Sequence, residues 1–189
     1  MLVVDVCIQR SATVTGSAEA ERERRFRELV ATHRERAVAL AWRLLGGDAA
    51  AAEDVAQEAF VRAYRALPRF RGDASLGTWF FRILVNEAHR HRRWRWVRQR
   101  WAGTGPEDPP APPSGAADPL LRARIARALD ALPRSQREAF VLVHLEGFSA
   151  SEAASITGKA TGTIKAHVHR ALQALRRELA DVGPAKERT

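Results

Sequence analysis

Residues 103–117 read GTGPEDPPAPPSGAA and hold five of the chain's nine prolines together with three glycines. Proline has a fixed φ and no backbone N–H, and glycine loses the most freedom on ordering, so this stretch neither continues a helix nor pairs in a sheet. Nor can it pack a core. It divides the 189-residue chain into two segments joined by a linker at 98–117, whose 20 residues reach at most ~66 Å.

On both sides of the linker, apolar residues recur at intervals of three and four, the spacing of amphipathic helices. Phe26, Leu29, Val30, Ala37, Leu40, Ala41 and Leu44 mark helical structure from Glu19 to about Leu45, and Gly46-Gly47 stops it. Asp48 is a good N-cap for the next helix, with Val55, Ala59, Phe60, Ala63 and Leu67 inward, and Pro68 ends it. The loop RFRGDAS follows at 69–75. Ser75 then caps a helix striped by Leu76, Trp79, Phe80, Ile83 and Leu84. Beyond the linker, Asp118 and Pro119 open a helix with Leu121, Ile125, Ala128, Leu129 and Leu132 on one side. Ser135–Glu138 and Ser149–Glu152 both fit capping boxes, Gly158 ends a short helix, and Thr161 is placed to cap the last one. There Ile164, Val168, Leu172, Leu175 and Leu179 line up. No strand pattern occurs. The expected fold is all-α: two small helical domains at 19–97 and 118–181, four helices in each. Residues 1–18 are expected as a flexible tail and 182–189 as a second one.

The net charge of +9 and pI near 11 suit a polyanionic partner. Residues 19–101 carry +7, residues 102–118 carry −3, and residues 119–181 carry +4. Two basic blocks flank an acidic spacer, as expected of two nucleic-acid-facing modules. Of the 31 basic residues 28 are arginine, which beside so much alanine also fits a GC-rich genome. Cys7 is the only cysteine, which excludes an internal disulfide and a cysteine-rich zinc site. No apolar run approaches the ~18 residues of a membrane span, so the chain is expected to work in the cytoplasm.

The short helix, glycine turn and longer amphipathic helix near the C-terminus make a helix-turn-helix, although packed helices in ordinary bundles share that pattern. Thr163, Lys165, Ala166, His169 and Arg170 lie away from the apolar stripe, and no acid appears on this helix before Glu178. A positive helix face of this kind suits the major groove. The run from His89 to Trp101 reads either as a solvated charged helix end or as a grip on phosphates with aromatics to stack on unpaired bases. His89 and His91 are two apart, as are His167 and His169, so on a helix neither pair points at one metal. Asp54 and Glu58 share a helix face, but no second acidic cluster or phosphate loop accompanies them as a nuclease would need.

Asp54-Val-Ala-Gln57-Glu58-Ala-Phe60 resembles the D-x-x-Q-E-x-F stretch by which bacterial sigma factors dock on RNA polymerase. Thr78-Trp79 and Ile83-Leu-Val-Asn86 resemble the segment that melts and reads the promoter −10 element. Glu146-Gly-Phe-Ser149 and Gly162-Thr-Ile-Lys165 resemble the segment that reads the −35 element. The motifs stand in the family's order across residues 22–180, and two domains joined directly by a linker resemble the extracytoplasmic-function group. That resemblance implies core-polymerase binding through Asp54, Gln57 and Glu58. It implies −10 binding through Phe70, Arg71, Ser75, Trp79, Asn86, Arg90 and Arg93, with a base flipped into the 69–75 loop near Asn86. It implies −35 binding through Thr163, Lys165, Ala166, His169 and Arg170. Arg90 stands where many members have an acid, Ala166 where serine is frequent, and Lys159-Ala-Thr161 replaces a turn that often holds proline. The implied protein is a transcription initiation subunit with no cofactor and no catalysis of its own. Its partners are core polymerase, promoter DNA as duplex and melted strand, and an anti-sigma factor, without direct membrane insertion. The rival is a stand-alone helix-turn-helix regulator, which explains only residues 119–180.

Overall fold

The computed structural model describes the backbone of residues 3–102 and 119–180, and side chains mainly within 19–95 and 124–180. Among the described residues seven α-helices follow one another: α1 (Val3–Leu44), α2 (Ala49–Ala66), α3 (Leu76–Ala102), α4 (Pro119–Ala131), α5 (Arg134–Phe140), α6 (Ala150–Thr157) and α7 (Thr161–Glu178). A 3₁₀ turn, Leu67–Arg69, extends α2, and a π-helical segment, Val141–Leu145, extends α5. No strand occurs among the described residues. The expectations for Cys7, Asp118, Leu121, most of the linker and the tail from 182 lie outside the described side chains or residues.

Local signals account for most helix ends. Asp48 accepts from Ala51 N at 3.0 Å, Ser75 Oγ accepts from Thr78 N at 3.0 Å, and Ser149 with Glu152 forms the full capping box. Gly158 closes α6 at φ 69°, in the left-handed region where glycine carries no Cβ penalty.

Four expectations are corrected. The expected tail is helical backbone from Val3 on, because no proline interrupts it and Gly16 alone is too weak a break. The stretch 19–45 is one helix, so the N-terminal half has three helices, not four; nothing between Val30 and Ala37 breaks helical backbone. Ser135–Glu138 forms no capping box: α5 starts behind Pro133, and Glu138 is turned inward at 4% exposure. Thr161 is the first residue of α7, whose N-cap is Ala160 with no side-chain bond. In addition, α3 runs to Ala102, five residues into the expected linker, and Ile125 is 40% exposed rather than inward.

The N-terminal helices close around stacked phenylalanines. Phe60 and Phe80 lie 4.4 Å apart between ring centroids at 22°, with Phe81 5.4 Å from Phe80. Phe80, Leu84, Phe81, Val85 and Ala88 are all buried, so α3 is covered on more than the single stripe that its period predicts. The second cover comes from the C-terminal half. Phe81 meets Phe148 edge-on at 5.2 Å, and one apolar cluster runs from Leu29 through Phe81 to Phe148, Ile156 and Ile164. Ala128, Leu132, Ala171 and Leu175 form a smaller cluster between α4 and α7.

Candidate nucleic-acid interface

On α2, Val55, Ala56, Ala59, Phe60 and Ala63 are inward, which leaves Asp54 and Gln57 exposed and Glu58 half-buried on the opposite face. Glu58 accepts from Arg62 Nε at 3.0 Å and stands 3.5 Å from Arg90. A groove of about 600 Å³ separates this face from α3, lined by Asp54, Val55, Glu58, Glu87, Arg90, His91 and Trp94. Trp94, 57% exposed, lines this groove and lies outside the D-x-x-Q-E-x-F stretch.

The loop after α2 makes a second surface. Phe70 and Trp79 meet at 5.2 Å and 51°, and with Arg69, Arg71, Asp73, Thr78 and Arg82 they line a cleft of about 310 Å³. Gly72 turns the loop at φ 80° with open space where a Cβ would stand. The Ser75 hydroxyl is used locally: it caps α3 and donates to Thr78 Oγ1 at 2.8 Å. Asn86 is exposed in the neighbouring cleft, with Arg62, Arg65, Arg69, Ile83, Glu58 and Glu87. Arg69 lines both clefts, so the loop and Asn86 share a border rather than one pocket. Arg62, Arg65 and Arg69 were legible as a stripe at intervals of three and four. So were Arg82 and Asn86, four apart.

The basic run on α3 is largely committed to its own fold. Arg90 pairs with buried Glu87 at 2.6 Å and borders the groove with Asp54, not the loop cleft. Arg92 donates to the Leu44 carbonyl at 3.1 Å, where the end of α1 has acceptors to satisfy, and Arg95 pairs with Asp48 at 2.7 Å. His89 Nε2 lies 2.6 Å from Glu138 Oε1. Burial alone would raise the Glu138 carboxyl, but the hydrogen bonds and charges of His89 and Arg134 outweigh it and bring the pKa down to about 2. Arg93 is exposed.

In the C-terminal half, α6, the Gly158 turn and α7 form the helix-turn-helix. Ile164, Ala171 and Leu175 are buried, while Thr163, Lys165, His169 and Arg170 are exposed and Ala166 is half-buried beside them. Gln173 Nε2 lies 2.9 Å from His169 Nε2, which fixes the ring's direction along the helix. The structure thus brings all five expected residues onto one outward arc.

Residues 29–98 match the family model for sigma-70 region 2, and residues 122–175 match that for sigma-70 region 4. The RNA polymerase sigma-H factor of Pseudomonas aeruginosa is 33% identical over 144 residues, which cover 70% of this chain and 75% of that protein. The ECF RNA polymerase sigma-E factor of Escherichia coli K12 is 34% identical over 134 residues, or 65% of this chain and 70% of that protein. Among solved structures, the sigma factor RpoE in complex with the anti-sigma factor NepR from Bartonella quintana superposes with a TM-score of 0.72 at 31% identity, covering 82% of this chain and 96% of that one. CnrH in complex with the cytosolic domain of CnrY gives 0.63 at 31% identity, covering 86% and 91%.

Proposed function

The chain belongs to the extracytoplasmic-function group of the sigma-70 family, and from that membership we propose how its surfaces divide the work of starting transcription. As an alternative sigma factor it binds core RNA polymerase, recognises promoter −35 and −10 elements and promotes strand opening. The N-terminal domain, residues 19–97, meets the polymerase through Asp54, Gln57 and Glu58. The clefts beside Phe70, Trp79 and Asn86 take the unpaired −10 strand, with Arg65, Arg69, Arg71, Arg82 and Arg93 toward its phosphates. The C-terminal domain, residues 118–181, lays α7 on the −35 element. The observation that carries this division is the polar outer face of α2 standing opposite its buried Phe60.

The chain works in the cytoplasm, needs no cofactor and leaves the chemistry of RNA synthesis to the polymerase. A cognate anti-sigma factor is part of the same reading, since RpoE was solved with the anti-sigma factor NepR. No described helix is long and apolar enough to cross a membrane. A stand-alone regulator would use α6 and α7 and leave the N-terminal surfaces without a role.

Run-off transcription with core polymerase on genomic promoters tests the reading directly and returns the promoter sequence. For docking, Gln57→Ala with Glu58→Ala should weaken co-purification with core polymerase about tenfold or more, as loss of two central interface residues does. The ion pairs of Glu58 are half-exposed, so the thermal midpoint should hardly move. Undiminished binding by the folded double variant would remove α2 from the interface.

The −35 contact has its own signature. If Arg170 meets phosphate, Arg170→Ala should weaken promoter binding evenly across sequences and lower the salt slope by about one. Lys165→Ala, nearer the start of α7, should weaken binding as well. Wild-type affinity and salt slope in both variants would take α7 off the DNA.

A further inference from the structure

Glu146 belongs to the C-terminal half, yet its side chain is 4% exposed and its ion pairs are with α1. Arg36 Nε lies 3.1 Å from Oε2, Arg43 pairs with Oε1, and Arg36 also donates to the Glu146 carbonyl. The Arg36 guanidinium sits against two rings from opposite halves, 4.9 Å from the centroid of Phe81 and 4.3 Å from that of Phe148. A second cross-contact joins His89 of α3 to Glu138 of α5. The Glu146 carboxylate is held out of water, while Arg36 and Arg43 stay 38% and 32% exposed, and a buried carboxylate is costly when its partners are lost.

This packing also sets a distance. Ser155 of α6 lines the cleft that holds Phe70 and Trp79. Lys165 follows ten residues later, within ~36 Å of Ser155 even for fully extended backbone. Elements at −35 and −10 are about 25 base pairs apart, or ~85 Å of duplex at 3.4 Å per pair. Resting on the sigma-factor reading of the two surfaces, we propose that the free chain is self-closed. Glu146, clasped by Arg36 and Arg43, holds the halves in an arrangement that cannot meet both promoter elements at once, and the clasp opens before both are engaged.

The closure is measurable without polymerase. In a Cys7→Ser chain, dyes on Glu53→Cys and Glu178→Cys report the separation of α2 and α7 by energy transfer. Transfer should be high in the otherwise unaltered chain and fall about twofold or more in Glu146→Arg, which places three like charges together. Circular dichroism should show unchanged helicity. Adding Arg43→Glu to Glu146→Arg should recover the transfer, which damage to the fold would not allow.

A disulfide supplies the functional arm. A Cβ placed on Gly46 lies 3.8 Å from the Asp130 carboxyl carbon, so Gly46→Cys with Asp130→Cys, again in the Cys7→Ser chain, is positioned to fasten the halves. In holoenzyme, the oxidised form should open a two-element promoter about tenfold or more slower than the reduced form, because only the unlocked fraction is competent. Gly46 has φ 72°, a strained setting for cysteine; should the bond not form, the transfer measurement decides alone. Low transfer in the parent, no change in Glu146→Arg, or equal opening by oxidised and reduced forms would each overturn the proposal. High transfer from a chain that supports no transcription with core polymerase would instead overturn the reading of the surfaces, and the promoter-level role of the clasp with it.

Discussion

Phe80→Ala is expected to destabilise the protein by about 3–5 kcal/mol, the cost of removing a fully buried aromatic from a packed core. Phe80 has no exposed surface and is stacked 4.4 Å from Phe60, with Phe81 at 5.4 Å and the His33 ring at 6.3 Å. Its neighbours belong to α1, α2 and α3, so no single side chain can move in to fill the space. A loss of that size is a large share of the about 5–15 kcal/mol that holds a domain folded. Urea denaturation followed by circular dichroism measures it. Phe70→Ala is the control: that ring is half-buried in a loop and should cost far less. A Phe80→Ala variant less than about 1 kcal/mol below the parent would mean that the stacked phenylalanines are not the centre of the core.

Asn86→Ala is expected to have the largest effect on function. The residue is exposed in a cleft with Arg62, Arg65 and Arg69, and its side chain makes no hydrogen bond among the described residues. Capturing an unpaired base there offsets the few kcal/mol that unstacking costs. Removing the amide should slow open-complex formation about 10- to 100-fold, the worth of one or two desolvated hydrogen bonds. Closed-complex binding should change little. On a template already mismatched across the −10 region most of the deficit should disappear, because unpairing is no longer required. Permanganate reactivity of unpaired thymines follows both templates. A variant that opens duplex promoter at the parental rate would end the base-capture role of Asn86.

What could be read in the sequence was what neighbours in the chain decide. Asp48, Ser75, Ser149 and Gly158 each act within one helical turn, and each does what its residue type suggests. The outward arc of α7 followed from period alone. Ser135–Glu138 had the same local signature as a capping box, but Glu138 is drawn to His89, 49 residues earlier, and no window of a few residues contains that competitor. The roles of Arg92 and Arg95 were hidden for the same reason, since their partners are Leu44 and Asp48. Charge along α3 read either as a solvated helix end or as a grip on phosphates, and neither reading included the part of it that ties α3 to the end of α1 and the start of α2. The doublets Phe80-Phe81 and Leu84-Val85 were the one sign that α3 is covered from two sides, and they pointed to no partner.

Glu146 and its two arginines are 103 and 110 residues apart along the chain, yet they are tethered. Two segments joined by one to two dozen residues meet at an effective concentration in the millimolar range. A contact with a dissociation constant of only ~1 mM, about −4 kcal/mol, would then be made about half the time within one molecule, although between separate fragments it would hardly register. Closure by Glu146 therefore does not have to be strong to matter. Proximity also makes closure quick to return: once a partner that holds the two halves apart lets go, they are again within reach of each other.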